Sequence, residues 1–315
     1  MKIVRHITLL LLSLFAVYGA TIFVLAKLKI KGKPAIYLTN DYYTWKGGDT
    51  YQKFAEFKNA GRFDVIVVGS SRAYRGYSPQ CFDSAGYSMF NLGSSAQSIH
   101  NTYYIVRNYI DSTRTRLLII DLFAGAFRKS QLESSSDLVE NVDDPSAAMD
   151  IALHTPDARS LNMLLLRELT EKDAPYFSKK DYSGNGFSVN TDSLPKKLRK
   201  ALKTFRQPKE AALEIDERAI ACFGALLDYC SKKGIKTIAV YSPVSDFYSR
   251  VDHQVFIQRI SPVLEKYKVP FYDYSDKIHL STTDHFYDDT HLNMAGVKIF
   301  NAQLLADLGK GRILQ

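Results

Sequence analysis

The sequence predicts an α/β protein with three layers, in which helices cover both faces of a five-stranded parallel sheet. Short apolar runs bounded by turn residues recur along the chain, and segments with apolar residues at helical spacing lie between them. Strands that alternate with helices favour a parallel sheet with two covered faces. Five strands in this order are typical of the flavodoxin-like arrangement, whose ligands bind beyond the carboxyl ends of the strands.

The first predicted strand has the clearest pattern. Phe63 to Val68 is a largely apolar run followed at once by Gly69, which is typical of a strand buried on both faces. The other strands are predicted at residues 88–92, 117–121, 237–241 and 270–274. Helical spacing predicts helices at 96–110, between about 209 and a stop at Gly234, and at 247–267 and 294–305.

Two parts of the chain lack this regularity. Residues 34–62 are predicted to form an irregular lead-in. Residues 123–206 are predicted to be a long insertion within one domain that spans 34–315. Within the insertion we expect an acidic loop at Glu133–Asp144 and a helix near Ala158–Leu169, with a Ser/Gly/Asn-rich stretch near 183–193. Long loops of this kind are usually functional or disordered.

The charge distribution argues against nucleic acid as a partner. The chain carries a formal charge of +8, but residues 1–33 contain six basic residues and no acid. The remaining residues carry 35 basic and 33 acidic groups and are therefore close to neutral. A nearly neutral domain behind a basic leader lacks the electrostatic footprint of a DNA-binding protein and fits a membrane terminus better.

A serine pair follows the first strand where that strand is predicted to end. Gly69 allows a sharp turn, and Ser70 and Ser71 then open a helix. This arrangement exposes a hydroxyl group and directs backbone N–H groups toward one point, as a nucleophile and an oxyanion require. The alternative is that one of the serines only caps the helix.

A glycine, Gly93, follows the second strand in the sequence Asn-Leu-Gly-Ser-Ser. A glycine there lets the backbone approach a substrate oxygen closely. The alternative is an ordinary turn from a strand to a helix.

An aspartate and a histidine stand three residues apart before the last predicted helix. Asp288 can accept a hydrogen bond from Nδ1 of His291, which leaves Nε2 free to take a proton from a serine. One alternative is a solvated surface turn. Another is a metal site that also uses Asp284 and His285, but no second ligand pair has helical or hairpin spacing, so we expect neither metal nor cofactor.

Together the three segments resemble the SGNH hydrolase superfamily of GDSL-type esterases and lipases. The first block of that superfamily matches residues 69–71, its second-block glycine matches Gly93, and its Asp-x-x-His block matches Asp288 and His291. The resemblance extends from about residue 63 to 305, apart from the insertion.

The resemblance implies a role for each matching residue. Ser71 would be the nucleophile, His291 the general base and Asp288 the group that orients the imidazole. The N–H groups of Ser71 and Gly93 would form two arms of the oxyanion hole.

The third block of the superfamily is missing. It supplies an asparagine donor after the third strand, whereas this chain continues as Asp-Leu-Phe-Ala-Gly at 121–125. Gln97 is a candidate substitute donor, and a solvent-facing position on a helix is its alternative. A missing donor typically costs about 10²–10³ in rate. Arg72 and Arg75, on the opening turn of the same helix as Ser71, are candidates for binding an anionic glycan or polymer; the alternative is exposed cations near a cleft.

The N-terminus predicts a membrane anchor. Ile7 to Ala26 is a run of twenty residues without charge, enough to span a bilayer as a helix, so residues 1–33 are assigned to an anchor. A cleaved secretory signal is the alternative. Four lysines follow the run and only Lys2 and Arg5 precede it, so the positive-inside rule alone would leave the domain in the cytoplasm. The acyl chemistry instead favours a bacterial membrane protein with its domain outside, in the periplasm.

A Gly-Ser-Ser first block behind a membrane helix is similar to the envelope acyl-transfer proteins of alginate and cellulose O-acetylation and of teichoic acid D-alanylation. That similarity implies an O-acylated glycan or envelope polymer as substrate and a multi-spanning membrane O-acyltransferase as partner. A catalytically silent scaffold that binds glycan or the acyltransferase is the alternative function. A nucleotide-binding module is disfavoured because the phosphate-binding glycine motifs are absent from the sequence.

Overall fold

The computed structural model of the protein describes residues 1–129, 131–170 and 181–314. In chain order the strands are β1 (Lys29–Ile30), β2 (Lys33–Pro34), β3 (Phe63–Val68), β4 (Met89–Asn91), β5 (Thr115–Asp121), β6 (Thr237–Tyr241) and β7 (Phe271–Asp273). β1 and β2 form a small antiparallel pair. The other five strands form one sheet in the order β4-β3-β5-β6-β7, and every pairing in it is parallel. The predicted flavodoxin-like sheet is therefore confirmed.

Helices lie on both faces of this sheet. In chain order they are α1 (Lys2–Lys27), α2 (Gly48–Lys58), α3 (Ser71–Gly76), α4 (Pro79–Asp83), α5 (Ile99–Tyr109), α6 (Leu132–Asn141), α7 (Pro145–His154), α8 (Ala158–Thr170), α9 (Lys196–Thr204), α10 (Glu217–Lys232), α11 (Arg250–Lys266), α12 (Thr282–His285) and α13 (Met294–Lys310). The predicted strands and helices differ from these mainly at their ends, where boundaries are least determined by local sequence.

The apolar run of β3 is explained by burial on both faces of the sheet. Val65 and Val67 belong to the hydrophobic cluster on one face, which includes residues of α13. Ile66 and Val68 belong to the cluster on the other face. All four side chains are fully buried, because successive side chains of a strand point to opposite faces. Each such side chain contributes about 1.5–3 kcal/mol to the hydrophobic stabilisation.

The predicted irregular lead-in at 34–62 is wrong in part, because it contains the helix α2. Phe54 and Phe57 are fully buried on the inner face of this helix and pack against the sheet. The apolar stripe is short, and the buried face also includes Lys53. A charged residue on the buried face interrupts the apolar spacing from which a helix would have been predicted.

The predicted acidic loop at 133–144 is also wrong, because α6 occupies most of it. The buried face of α6 includes the serines Ser134, Ser135 and Ser136. The Nδ2 group of the buried Asn101 donates to the hydroxyl oxygens of Ser134 and Ser135 at 2.8 and 3.1 Å. Buried polar groups are tolerated when they are hydrogen-bonded, so a polar sequence here forms part of the interior.

The predicted insertion at 123–206 contains α6, α7, α8 and α9 among its described residues, and the expected helix near 158–169 is α8. The helices α6, α7 and α8 pack against one another, and they also contact α5 and α1. Residues 130 and 171–180 of the predicted insertion lie outside the described residues. The insertion therefore adds a helical layer beside the sheet.

A buried asparagine joins the last helix to the turn that follows α3. Asn301 of α13 is fully buried. Its Nδ2 group donates to the carbonyl oxygen of Gly76 at 2.7 Å, and its Oδ1 accepts from the backbone N–H of Ser78 at 2.8 Å. These two bonds connect α13 to the end of α3 and to the turn that follows it.

We expect the substitution Asn301→Ala to lower the free energy of unfolding by about 2–4 kcal/mol, because it leaves a buried N–H and a buried carbonyl without partners. The measurement is denaturant unfolding of the full chain in detergent. The matched control is Lys298→Ala, an exposed position of the same helix, which should change stability by less than about 0.5 kcal/mol. Equal effects of the two substitutions would contradict the proposed tie.

Candidate active site

Ser71 is the first residue of α3, in the turn that leaves the carboxyl end of β3. Gly69 has φ = 146°, and a side chain there would lie 2.8 Å from the carbonyl oxygen of Asp121. Ser70 caps the helix by accepting a hydrogen bond from the N–H of Arg72 at 3.3 Å. The capping interpretation of the serine pair therefore applies to Ser70. The N–H of Ser71 is among the first N–H groups of a helix, which lack partners within it.

The segment Phe286–Leu292 forms a closed turn before α13. A β-bridge joins Phe286 to Leu292 across its ends. Inside the turn, Oδ1 of Asp288 accepts the backbone N–H groups of Thr290 and His291 at 2.8 and 2.6 Å. This leaves Oδ2 for the imidazole, and His291 Nδ1 lies 2.8 Å from it. The three-residue spacing works because one carboxylate both closes the turn and holds the ring.

The two segments meet at the carboxyl edge of the sheet. His291 Nε2 lies 2.8 Å from Ser71 Oγ, although 220 residues separate them in sequence. The side chains of His291 and Asp288 are 18% and 32% exposed, so a ligand can reach them while most of the bulk water is excluded. Ser71, His291 and Asp288 thus form a continuous line of hydrogen bonds, of which the three-residue spacing predicts the one between Asp288 and His291.

The carboxyl group of Asp288 is held in its ionised form. Burial raises its pKa, but the hydrogen bond and the charge of His291, together with the two backbone N–H groups, outweigh burial and lower the pKa below its usual value. An ionised Asp288 stabilises the positive charge that develops on the imidazole when it accepts a proton.

Aromatic rings support the other side of the imidazole. The ring of Tyr287 is stacked on that of His291, with centroids 5.6 Å apart and planes 10° apart. The Arg75 guanidinium lies 5.5 Å from the Tyr287 ring centroid and 5.1 Å from that of Tyr74. This stack restricts rotation of the imidazole out of line with Ser71.

Ser71 and His291 open into a cavity of about 700 Å³. Its wall contains the aromatic residues Tyr42, Tyr74, Phe123 and Tyr287. Its polar lining includes Arg75, Ser95, Gln97, Arg128, Gln131, Glu133 and Ser134. Several of these residues belong to the lead-in and to the predicted insertion. Sequence reasoning missed their role, because no local motif marks them and only the fold brings them to the site.

Arg72, a predicted candidate for binding an anionic polymer, is buried and does not line the cavity. It is only 4% exposed, and its Nη2 donates to the carbonyl oxygens of Ser242 and Pro243 at 2.6 and 3.0 Å and to Ser242 Oγ at 2.8 Å. Its guanidinium lies between the rings of Phe123 and Tyr241, 5.1 Å from each centroid. These contacts connect the start of α3 to the residues that follow β6, beneath the site.

Arg75 does line the cavity, so its predicted position near a substrate is compatible with the structure. Its guanidinium is engaged with two rings but remains partly exposed. Of the two arginines, it is the one that a ligand can reach.

The structure does not support Gly93 as an oxyanion donor. Its N–H donates to Asn91 Oδ1 at 3.0 Å, so the predicted donor already has a partner. The glycine is required for packing instead, because a side chain at this position would lie 2.8 Å from the Cβ of Ala73. The part of this loop that lines the cavity is residues 95–97.

Gln97 lies on the cavity wall, but not as a solvent-facing helical residue. It is fully buried and precedes α5, which begins at Ile99. Its Oε1 accepts from Ser94 Oγ at 2.8 Å, and its Nε2 donates to Thr102 Oγ1 at 3.0 Å. An amide nitrogen carries two hydrogens, so this bond to Thr102 leaves a second one.

The alternative metal cluster does not assemble. Asp284 Oδ2 accepts from Ser281 Oγ at 2.8 Å, and His285 Nδ1 accepts from the N–H of Ser281 at 2.9 Å. Within the described ranges, no group of three or more His, Cys, Asp or Glu side chains is arranged to hold a metal ion.

Comparison with known proteins gives structural similarity at low identity. No family model and no curated protein matches the chain. Among solved structures, a GDSL-like lipase from Bacteroides thetaiotaomicron is 12% identical, with a TM-score of 0.43 over 84% of this chain and 98% of that one. A lipase/acylhydrolase from Enterococcus faecalis is 11% identical, with a TM-score of 0.42 over 79% and 96% of the two chains. An acetyl xylan esterase is 10% identical, with a TM-score of 0.41 over 78% and 99%.

We expect Arg72→Ala to destabilise the protein by about 3 kcal/mol or more, because it removes the charge that faces the buried Asp121 and leaves two buried carbonyls without donors. Arg75→Ala, the matched control, should change the free energy of unfolding by less than about 1 kcal/mol. The measurement is denaturant unfolding of both variants. A mild effect of Arg72→Ala would show that the buried arginine is dispensable.

Proposed function

We propose that this protein is a serine esterase or O-acyltransferase with Ser71 as nucleophile, His291 as general base and Asp288 as the group that orients the imidazole. The observation that carries the proposal is the 2.8 Å contact between His291 Nε2 and Ser71 Oγ. A serine hydroxyl is a weak nucleophile unless an adjacent base removes its proton.

The reaction takes place in two steps. Ser71 Oγ attacks the acyl carbonyl carbon while His291 Nε2 takes its proton, and the imidazolium then gives that proton to the leaving alcohol oxygen. The ester bond of the substrate breaks and an acyl-serine forms. In the second step His291 deprotonates water or a sugar hydroxyl, whose oxygen attacks the acyl carbon. The bond between that carbon and Ser71 Oγ breaks, and the imidazolium returns its proton to Oγ, so that the free enzyme is restored and the acid or the acylated sugar is released.

The oxyanion of each tetrahedral intermediate needs donors near Ser71. The backbone N–H of Ser71 and the amide of Gln97 are the candidates, and both residues line the cavity. A neutral side-chain amide is a common oxyanion donor. Gln97 would thus replace the asparagine of the missing third block, while Gly93 shapes the loop that presents it.

The cavity composition supports a sugar-based substrate. Four aromatic rings and several amide, hydroxyl and charged groups line a cavity of about 700 Å³, large enough for more than an acetyl group. Apolar faces with a few polar groups suit the flat faces and hydroxyls of a glycan. We therefore propose an O-acyl group, an acetyl in the first instance, on an envelope polysaccharide.

The helix α1 supports a membrane location. It has 26 residues and is long and apolar enough to cross a bilayer. We propose that it is an uncleaved anchor in a bacterial cell membrane and that the domain lies outside, where envelope glycans and a multi-spanning membrane O-acyltransferase would meet it.

A catalytically silent scaffold is the second candidate function. It is favoured by the engaged N–H of Gly93, because an oxyanion hole with fewer donors stabilises the tetrahedral intermediate less. Such a protein would bind glycan in the same cavity without forming an acyl-serine.

Ser71→Ala, His291→Ala and the double variant should each lose about 10³-fold or more of the turnover of p-nitrophenyl acetate, and by similar factors, because the two residues act as one unit. Asp288→Asn should lose less than either, because it disturbs only the orientation and charge support of the imidazole. Transfer to a glycan acceptor, measured beside hydrolysis, separates a transferase from an esterase.

The adjacent serine provides the control for this experiment. Ser70→Ala removes a helix cap, at a cost of about 1 kcal/mol in stability, but keeps the Ser71 hydroxyl. A fluorophosphonate probe should therefore label the wild type and Ser70→Ala but not Ser71→Ala. Full activity of Ser71→Ala, or glycan binding without turnover of any acyl substrate, would favour the scaffold.

Topology is tested separately from chemistry. A reporter fused at the C-terminus and active only outside the cytoplasm should be active, because α1 is expected to carry the domain across the membrane. A reporter that functions only in the cytoplasm is the control, and its activity would place the domain inside, as the flanking lysines alone predict.

A further inference from the structure

Four large apolar side chains are exposed on the two adjacent helices α7 and α8. Met149 and Leu153 of α7 are 51% and 61% exposed, and Leu161 and Leu165 of α8 are 43% and 54% exposed. Each pair is four residues apart and therefore lies on one face of its helix. The two helices are joined by residues 155–157 and pack against each other, so we call these four residues the α7–α8 apolar face.

The helix α8 packs alongside the C-terminal half of α1. Asn162 Nδ2 donates to the Tyr18 hydroxyl at 2.6 Å, and Lys27 Nζ donates to the Leu169 carbonyl oxygen at 2.6 Å. The contacts progress in the same direction along both helices, so the two run side by side in parallel. Ile22 of α1 is 6% exposed between these contacts.

This contact leaves too little of α1 free to cross a bilayer alone. At about 1.5 Å per residue, the apolar stretch from Ile7 to Val17 is roughly 17 Å long, whereas the hydrocarbon core is about 30 Å thick. The span must therefore include the part from Tyr18 to Ala26. That part has α8 beside it, so α8 lies at the depth of the outer leaflet.

We propose that the α7–α8 apolar face is a membrane-contact surface, inserted into the outer part of the bilayer beside the anchor. The proposal rests on the anchoring of α1 proposed above and adds a second, monotopic attachment to it. Because α8 runs parallel to α1, the inserted face would lie along the bilayer normal and contact the acyl chains of the outer leaflet.

Asn162 and the charged residues near the start of α8 have partners. Asn162 also donates to the Tyr43 hydroxyl at 2.8 Å, so its amide is engaged by two tyrosines. Near the connection between α7 and α8, Arg159 and Asp157 form an ion pair at 2.7 Å. Paired polar groups cost less in a membrane than unpaired ones. Attachment by two elements would hold the cavity at a set height above the membrane and restrict rotation about α1.

Depth-dependent quenching of tryptophan fluorescence tests this proposal. The single native tryptophan is replaced by Trp45→Phe, and one tryptophan is introduced at a time by Leu161→Trp, Leu165→Trp, Met149→Trp or Leu153→Trp in the full chain. Each variant is reconstituted into phosphatidylcholine vesicles with plain or brominated acyl chains. The fluorescence of all four variants should be largely lost in the brominated vesicles.

Two reference positions make the outcomes distinct. Leu12→Trp reports on the anchor itself. Ile299→Trp, at a 41% exposed position of α13, which packs on the opposite face of the sheet, should remain unquenched. Circular dichroism confirms that each variant is folded.

Quenching at the α7–α8 apolar face together with Leu12→Trp supports the proposal. Quenching of Leu12→Trp alone overturns this inference but keeps the proposal that α1 is an anchor. A transmembrane segment of another protein would then be the expected occupant of the α7–α8 apolar face. No quenching of Leu12→Trp overturns the anchor and this inference together. None of these three outcomes depends on the acyl chemistry, so the catalytic proposal is tested independently.

Discussion

The site depends on holding two turns at a constant distance across 220 residues of chain. The 2.8 Å contact between His291 and Ser71 requires that the end of β3 and the turn before α13 meet at one edge of the sheet. Parallel strands make this possible, because their carboxyl ends all lie on that edge. Asn301 of α13 links the two segments directly, because its side chain is hydrogen-bonded to the backbone at the end of α3 and in the turn that follows.

Close packing beneath Ser71 imposes a second constraint. A side chain at Gly69 would lie 2.8 Å from the carbonyl oxygen of Asp121, at the end of β5. A side chain at Gly93 would lie 2.8 Å from the Cβ of Ala73, so the loop after β4 can approach the turn after β3 because residue 93 is a glycine. Beside them, Arg72 bonds the residues that follow β6, under the turn that carries Ser71. Gly69, Arg72 and Gly93 therefore hold the turn that carries Ser71 in place.

The helical layer formed by α6, α7 and α8 connects the site to α1. Gln131, Glu133 and Ser134, at and near the start of α6, line the cavity, and α8 packs along α1. One segment added to the flavodoxin-like sheet thus shapes part of the cavity and packs against α1. Under the anchoring proposed above, this arrangement would place the mouth of the cavity in a fixed relation to the membrane.

The sequence alone determined the five-stranded parallel sheet, the apolar N-terminal helix, and the two separate segments that carry Ser71 and the Asp288–His291 pair, because each depends on local patterns: apolar runs, a glycine turn and a three-residue spacing. Only the tertiary structure decided which neighbours are buried. It placed Arg72 in the interior and gave the Gly93 N–H an internal partner, while Gln97 came to lie on the cavity wall. The tertiary contacts also bury the serine-rich, acidic segment of α6 as a packed helix. These outcomes depend on contacts between distant segments, which no local pattern in the sequence records.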